Sequence, residues 1–96
     1  MKLQDLESRA SLQLSMGLFG NPKYFDSSTT KDETNTFHVI QIIEDAVFTG
    51  LKDGTIDLAA GVLSGKSVAT TLYSQDGFTD IEISAGVIKA ISIDEI

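Results

Sequence analysis

The chain reads as a mainly β protein, a small antiparallel sandwich or barrel that follows an extended, partly helical N-terminal arm. Three observations carry this. Ile81, Ile83 and Ala85 alternate with Asp80, Glu82 and Ser84, the period of a strand with one buried and one wet face. Gly54, Gly77 and Gly86 punctuate runs rich in β-branched residues. Beyond Gly86, Val87, Ile88, Ala90, Ile91 and Ile93 are apolar on both parities, so the closing strand needs cover on two sides, from its own fold or from a neighbouring subunit.

Taken in order, residues 1–25 form the arm, 26–36 a polar linker and 37–96 the β domain. In the arm, Leu3, Leu6 and Ala10 have helical spacing, whereas Leu12, Leu14, Met16 and Leu18 alternate as in a strand. Gly20-Asn21-Pro22 breaks the chain ahead of the aromatic pair Tyr24-Phe25. Asp26 to Thr36 holds almost only polar residues and has the composition of a linker. Phe37 to Ile43 predicts a first strand and Ala46 to Leu51 a second. Lys52-Asp53-Gly54-Thr55 predicts a hairpin turn, because Asp-Gly supplies the positive φ that such a turn requires. Ile56 to Leu58 is a third strand, Val62 to Ser67 a connection and Val68 to Ser74 a fourth strand. Gln75-Asp76-Gly77 is a turn into a final pair of strands, themselves joined by a tight turn at Gly86.

Composition limits the function classes. Ninety-six residues make one small domain with a modest core. The chain has no cysteine, so disulfides and thiolate metal sites are excluded, and its single histidine cannot build a zinc cluster; association with other copies is the remaining source of added stability. An apolar fraction of 42% is too high for a disordered chain, and no run approaches the roughly 18 apolar residues of a membrane-spanning helix. The N-terminus lacks the apolar core of a secretory signal. Fourteen acidic against seven basic residues give a formal charge of −7, which repels nucleic-acid phosphates and anionic lipids. Neither nucleic acid nor membrane is expected as a partner.

Few residues suggest chemistry. Ala60-Gly-Val-Leu-Ser-Gly-Lys-Ser67 has the spacing of a permissive phosphate-binding loop, in which backbone amides and Lys66 would surround phosphates and Ser67 would reach magnesium. Such a loop must open a helix, and Ser67 to Tyr73 is β-branched and strand-like, so a glycine turn with a surface lysine is expected. His38 has no second histidine or cysteine to act with and reads as an ordinary strand residue. The carboxylates of Glu44-Asp45, Asp53, Asp57, Asp76, Asp80, Glu82 and Asp94-Glu95 fall in turns or on wet parities and form no calcium-loop pattern. No catalytic residue, metal or cofactor is assigned.

The run Ile40-x-Ile-Ile-Glu-Asp-Ala-Val-Phe-Thr-Gly-Leu51, then Gly61-Val-Leu-Ser-Gly-Lys-Ser67 and Phe78-Thr-Asp-Ile-Glu-Ile-Ser-Ala-Gly-Val-Ile-Lys-Ala90, resembles short virion proteins of tailed bacteriophages. The likeness covers about residues 38–93 and departs from that pattern at Lys89 and in a longer stretch between Lys66 and Phe78. It implies a non-enzymatic structural protein of the virion, of the capsid decoration (cement) or head-fibre type. The expectation is a homotrimer on the outer capsid surface that stabilises the mature head and has the major capsid protein as its partner. Ile81, Ile83, Val87, Ile88, Ile91 and Ile93 would mediate self-assembly; Leu12, Leu14, Met16, Leu18, Phe19, Tyr24 and Phe25 would contact the capsid. A fibre, adhesin or tail component binding a host surface is the alternative, and a small phosphate-loop protein a more distant one.

Overall fold

The computed structural model describes residues 22–92, and it is mainly β. Five strands form one sheet: β1 (Lys23–Phe25), β2 (Phe37–Asp53), β3 (Ile56–Asp57), β4 (Ser67–Val68) and β5 (Leu72–Ile91). The two long strands dominate. Val39 lies opposite Ile91, Ile42 opposite Ile88, Phe48 opposite Ile83 and Asp53 opposite Phe78, so partner numbers fall along β5 as they rise along β2, which is antiparallel pairing.

The start of β2 has β5 on both sides. Val39 is paired with Tyr73 as well as Ile91, and Ile40 with Leu72 as well as Ala90. Phe78 in turn faces both Phe37 and Asp53, the two ends of β2. No flat strand can place both its ends beside one residue, so β2 and β5 coil around each other and the sheet closes into a small, partly closed barrel. Phe25, Phe37, Ile40, Phe48, Leu51, Phe78, Ile81, Ile83 and Ile88 fill its interior, with Phe25 and Phe37 edge-to-face at 6.2 Å between ring centroids.

Several expected turns are bends within strands. Phe37–Ile43 and Ala46–Leu51 are one strand, β2, because Glu44 and Asp45 sit on the outside of a bulge instead of leaving the sheet; the register slips between Ile42 opposite Ile88 and Glu44 opposite Val87. Gly86 is likewise no hairpin turn. It lies inside β5 with φ +87°, and a Cβ there would stand 2.2 Å from the Asp45 carbonyl oxygen, so glycine allows β2 and β5 to cross closely at the bulge. Gly77, φ +99°, is also within β5, where that strand passes from one edge of β2 to the other. The predicted final hairpin and the strand before it are thereby largely one strand. The Val68–Ser74 strand divides, with β4 ending at Val68 and β5 starting at Leu72. The hairpin at Gly54-Thr55 forms as expected: Lys52 pairs with Asp57 and Asp53 with Ile56.

Residues 22–32 run along the outer edge of β5. Lys23, Tyr24 and Phe25 pair with Ala90, Lys89 and Ile88, and further along Asp32 exchanges backbone hydrogen bonds of 3.0 and 3.2 Å with Ile81. The polar tract therefore protects a sheet edge over part of its length. Its composition is explained by local hydrogen bonding: Asp26 accepts from the Ser28 amide and hydroxyl, and Thr29 N–H donates to the Asp26 carbonyl.

Candidate functional site

Of the expected self-assembly residues, Ile81, Ile83, Ile88 and Ile91 are fully buried within a single chain. For Ile81, Ile83 and Ile88 the core of the coiled sheet supplies the cover, the first of the two sources that the composition left open; none of the four side chains is exposed. Val87 is half-buried, and Ile93 lies outside the described residues. Of the expected capsid contacts, Phe25 is a core residue at 1% exposure, because β1 pairs with β5 and turns it inward; it is not available as an arm contact. Tyr24, its neighbour, points outward at 57% exposure with the Lys89 ammonium 5.7 Å from its ring centroid. Leu12, Leu14, Met16, Leu18 and Phe19 lie outside the described residues.

The most developed polar site is Asp32. Its side chain is buried, yet its carboxylate accepts from Lys23 Nζ at 2.8 Å, from the Asn35 amide N–H and Nδ2 at 2.9 Å each, and from the Thr34 N–H at 3.0 Å. Burial alone would raise this carboxyl's pKa; donation from the Asn35 side chain, Lys23 and the Asn35 and Thr34 amides outweighs it and holds the group well below the usual carboxylate range. Lys23 Nζ also stands 4.9 Å above the Phe25 ring, so one ammonium ties the charged network to the core. A carboxylate saturated by donors within its own chain is a structural clamp, since it has neither a free lone pair for a ligand nor a proton to give. The sequence pattern does not single out Asp32; the one available signal is Asp-x-Thr-Asn, an Asx-type motif inside the polar tract.

A groove of about 280 Å³ opens at the seam where β5 crosses between the edges of β2, lined by Asp53, Tyr73, Ser74, Gln75 and Asp76. Ser74 is buried; its hydroxyl donates to Asp53 Oδ1 and accepts from the Gly77 N–H at 2.8 Å. That hydroxyl is committed to holding the seam and is not poised as a nucleophile, since no imidazole takes its proton. Two carboxylates, a phenol and a primary amide line this shallow opening, a polar chemistry of the kind that suits a polyol or a cationic group.

Residues 58–65 form successive turns, with Leu63 N–H donating to Leu58 O at 2.9 Å and Lys66 N–H to Leu63 O at 3.0 Å. They lead into the two-residue β4, with no helix after Ser67 whose N-terminal amides could receive a phosphate. His38 is half-buried on β2 and its Nδ1 has no hydrogen-bond partner among the described residues. Among those residues no three His, Asp or Glu side chains converge as metal ligands would. No family model, curated protein or solved structure matches the chain.

Proposed function

We propose that this chain is a structural protein of a bacteriophage virion, a capsid decoration or cement protein that attaches through its N-terminal segment and assembles as a homotrimer on the outer capsid surface. The observation that carries the reading is the completeness of the barrel. Among the described residues the core runs from Phe25 to Ala90, and the apolar alternation of Leu12, Leu14, Met16 and Leu18 precedes it in the sequence. A self-contained β domain joined to an apolar segment suits a protein that binds a preformed lattice and adds its binding free energy to it. The formal charge of −7 suits an outward face better than one turned toward packaged DNA. The resemblance over residues 38–93 points the same way.

The test is decoration of purified capsids that lack the protein. Replacing Leu14 and Met16 by Ser in the full chain should leave the β circular-dichroism spectrum intact while abolishing co-sedimentation with the particles. Unchanged binding would mean that the barrel, not the segment, makes the contact. The groove at Asp53, Tyr73, Ser74, Gln75 and Asp76 favours the second reading, a fibre, adhesin or tail component that binds a host glycan. A glycan array that reports binding lost on Asp76→Ala would move the assignment there.

A further inference from the structure

Two Asp-Gly dipeptides, Asp53-Gly54 and Asp76-Gly77, meet at the seam, where the Gly54 N–H donates to the Gly77 carbonyl at 3.2 Å. An Asp-Gly link is prone to isomerise at neutral pH. The glycine nitrogen attacks the carboxyl carbon of the preceding side chain, a C–N bond forms, and a carboxyl oxygen leaves as water to give a cyclic succinimide. Hydrolysis returns one water and leaves part of the product as isoaspartate, in which the backbone runs through the side chain; water is the sole co-reactant. Glycine is the readiest attacker because no Cβ crowds its nitrogen. The fold needs both glycines: Gly54 has φ +61° and Gly77 φ +99°, and a Cβ on Gly77 would stand 2.2 Å from Thr36 Cγ2. Water has access as well, since Asp53 and Asp76 both line the open groove.

We propose that Asp53-Gly54 and Asp76-Gly77 are latent isoaspartate sites and that the single hydroxyl of Ser74 keeps both closed. At Asp76-Gly77 it holds the attacking group. The Gly77 N–H donates to Ser74 Oγ at 2.8 Å, and from the extended backbone of β5 ring closure requires that peptide plane to rotate until its nitrogen faces the Asp76 carboxyl carbon. The hydrogen bond opposes that rotation, while the Asp76 side chain itself is exposed. At Asp53-Gly54 the same hydroxyl holds the group under attack: it donates to Asp53 Oδ1 and fixes the carboxylate against the buried Ser74. The Gly54 N–H is engaged by the Gly77 carbonyl, so the two dipeptides also restrain each other. Isoaspartate at position 76 would add a methylene to the main chain inside β5 and shift the carbonyl that holds Gly54, so conversion at one dipeptide loosens the other.

This inference does not depend on the decoration reading and is tested on the free full-length protein, aged at neutral pH and mapped peptide by peptide with electron-transfer fragmentation, which tells isoaspartate from aspartate. The folded parent should convert both dipeptides more slowly than the same chain held unfolded in guanidinium chloride; equal rates would overturn the proposal. Ser74→Ala, checked for its β circular-dichroism spectrum, should convert both faster than the parent by about two- to tenfold, the factor that corresponds to losing one net hydrogen bond. If it does not fold, Ser74→Cys, close in size but a weak donor and acceptor, is judged by the same criterion. Ile83→Val, which weakens the core opposite Phe48 and away from the seam, should age like the parent. Unchanged or slower conversion in the folded Ser74 variant, a rise at only one dipeptide, or an equal rise in Ile83→Val would each overturn the shared role of the hydroxyl.

Discussion

Replacing Asp32 with Ala should destabilise the fold by about 2–4 kcal/mol. The carboxylate is buried and accepts four hydrogen bonds of 2.8–3.0 Å, one of them from the Lys23 ammonium. Hydrogen bonds to a charged group contribute about 1.5–3 kcal/mol each, net of exchange with water, and are not additive. Lys23, Thr34 and Asn35 are accessible enough to regain water when the acceptor is removed, which brings the sum down to about the value of one or two such bonds. Asp32→Asn keeps one acceptor oxygen and should cost less than Asp32→Ala. The pH dependence gives an independent readout. The folded-state pKa lies below the unfolded value, so the carboxylate's contribution is complete above about pH 5 and falls away as pH drops through the ordinary carboxylate range toward the folded value. Urea denaturation at pH 7 and pH 3 should therefore show a smaller pH effect for Asp32→Ala than for the parent. A loss below about 0.5 kcal/mol at pH 7, the scale of an ordinary surface substitution, together with an unchanged pH effect, would refute the clamp.

Gly86→Ala should destabilise by about 2–4 kcal/mol in the same denaturation assay, since it combines a strained positive φ with a Cβ driven into the Asp45 carbonyl; a neutral result would place the strand crossing elsewhere. Phe25→Ala should cost about 3–5 kcal/mol by the same measurement, the range for a large buried aromatic, and a negligible loss would mean that β1 is an appendage of the barrel and not part of it. Isothermal titration with ATP and magnesium should give no micromolar binding, because residues 60–67 lead into a strand; saturable heat abolished by Lys66→Ala would overturn that reading.

Local patterns were legible in the sequence to the extent that their causes are local. The alternation around Ile81 and Ile83 gave their inward parity, and Asp53-Gly54 gave the β2–β3 hairpin, because backbone sterics and a two-residue period act over neighbouring positions. Gly77 and Gly86 show where such reasoning runs out. A glycine with positive φ serves a turn or a bulge equally well, and only the chain that passes in front of it, at Thr36 just before β2 for Gly77 and at Asp45 within β2 for Gly86, makes each a bend in one continuous strand. The excess of apolar residues after Gly86 correctly signalled a strand with two faces to cover. It could not say that coiling would bury Ile88 and Ala90 inside the barrel while leaving Val87 half-buried, since that depends on which residues of β2 stand opposite. Asp32 and the Asp53–Ser74 pair are invisible to any window of sequence for the same reason. Lys23 and Ile81 converge on Asp32, and Ser74 on Asp53, only after β5 has closed the sheet, and a polar side chain takes its role from the donors that tertiary structure brings within hydrogen-bond reach.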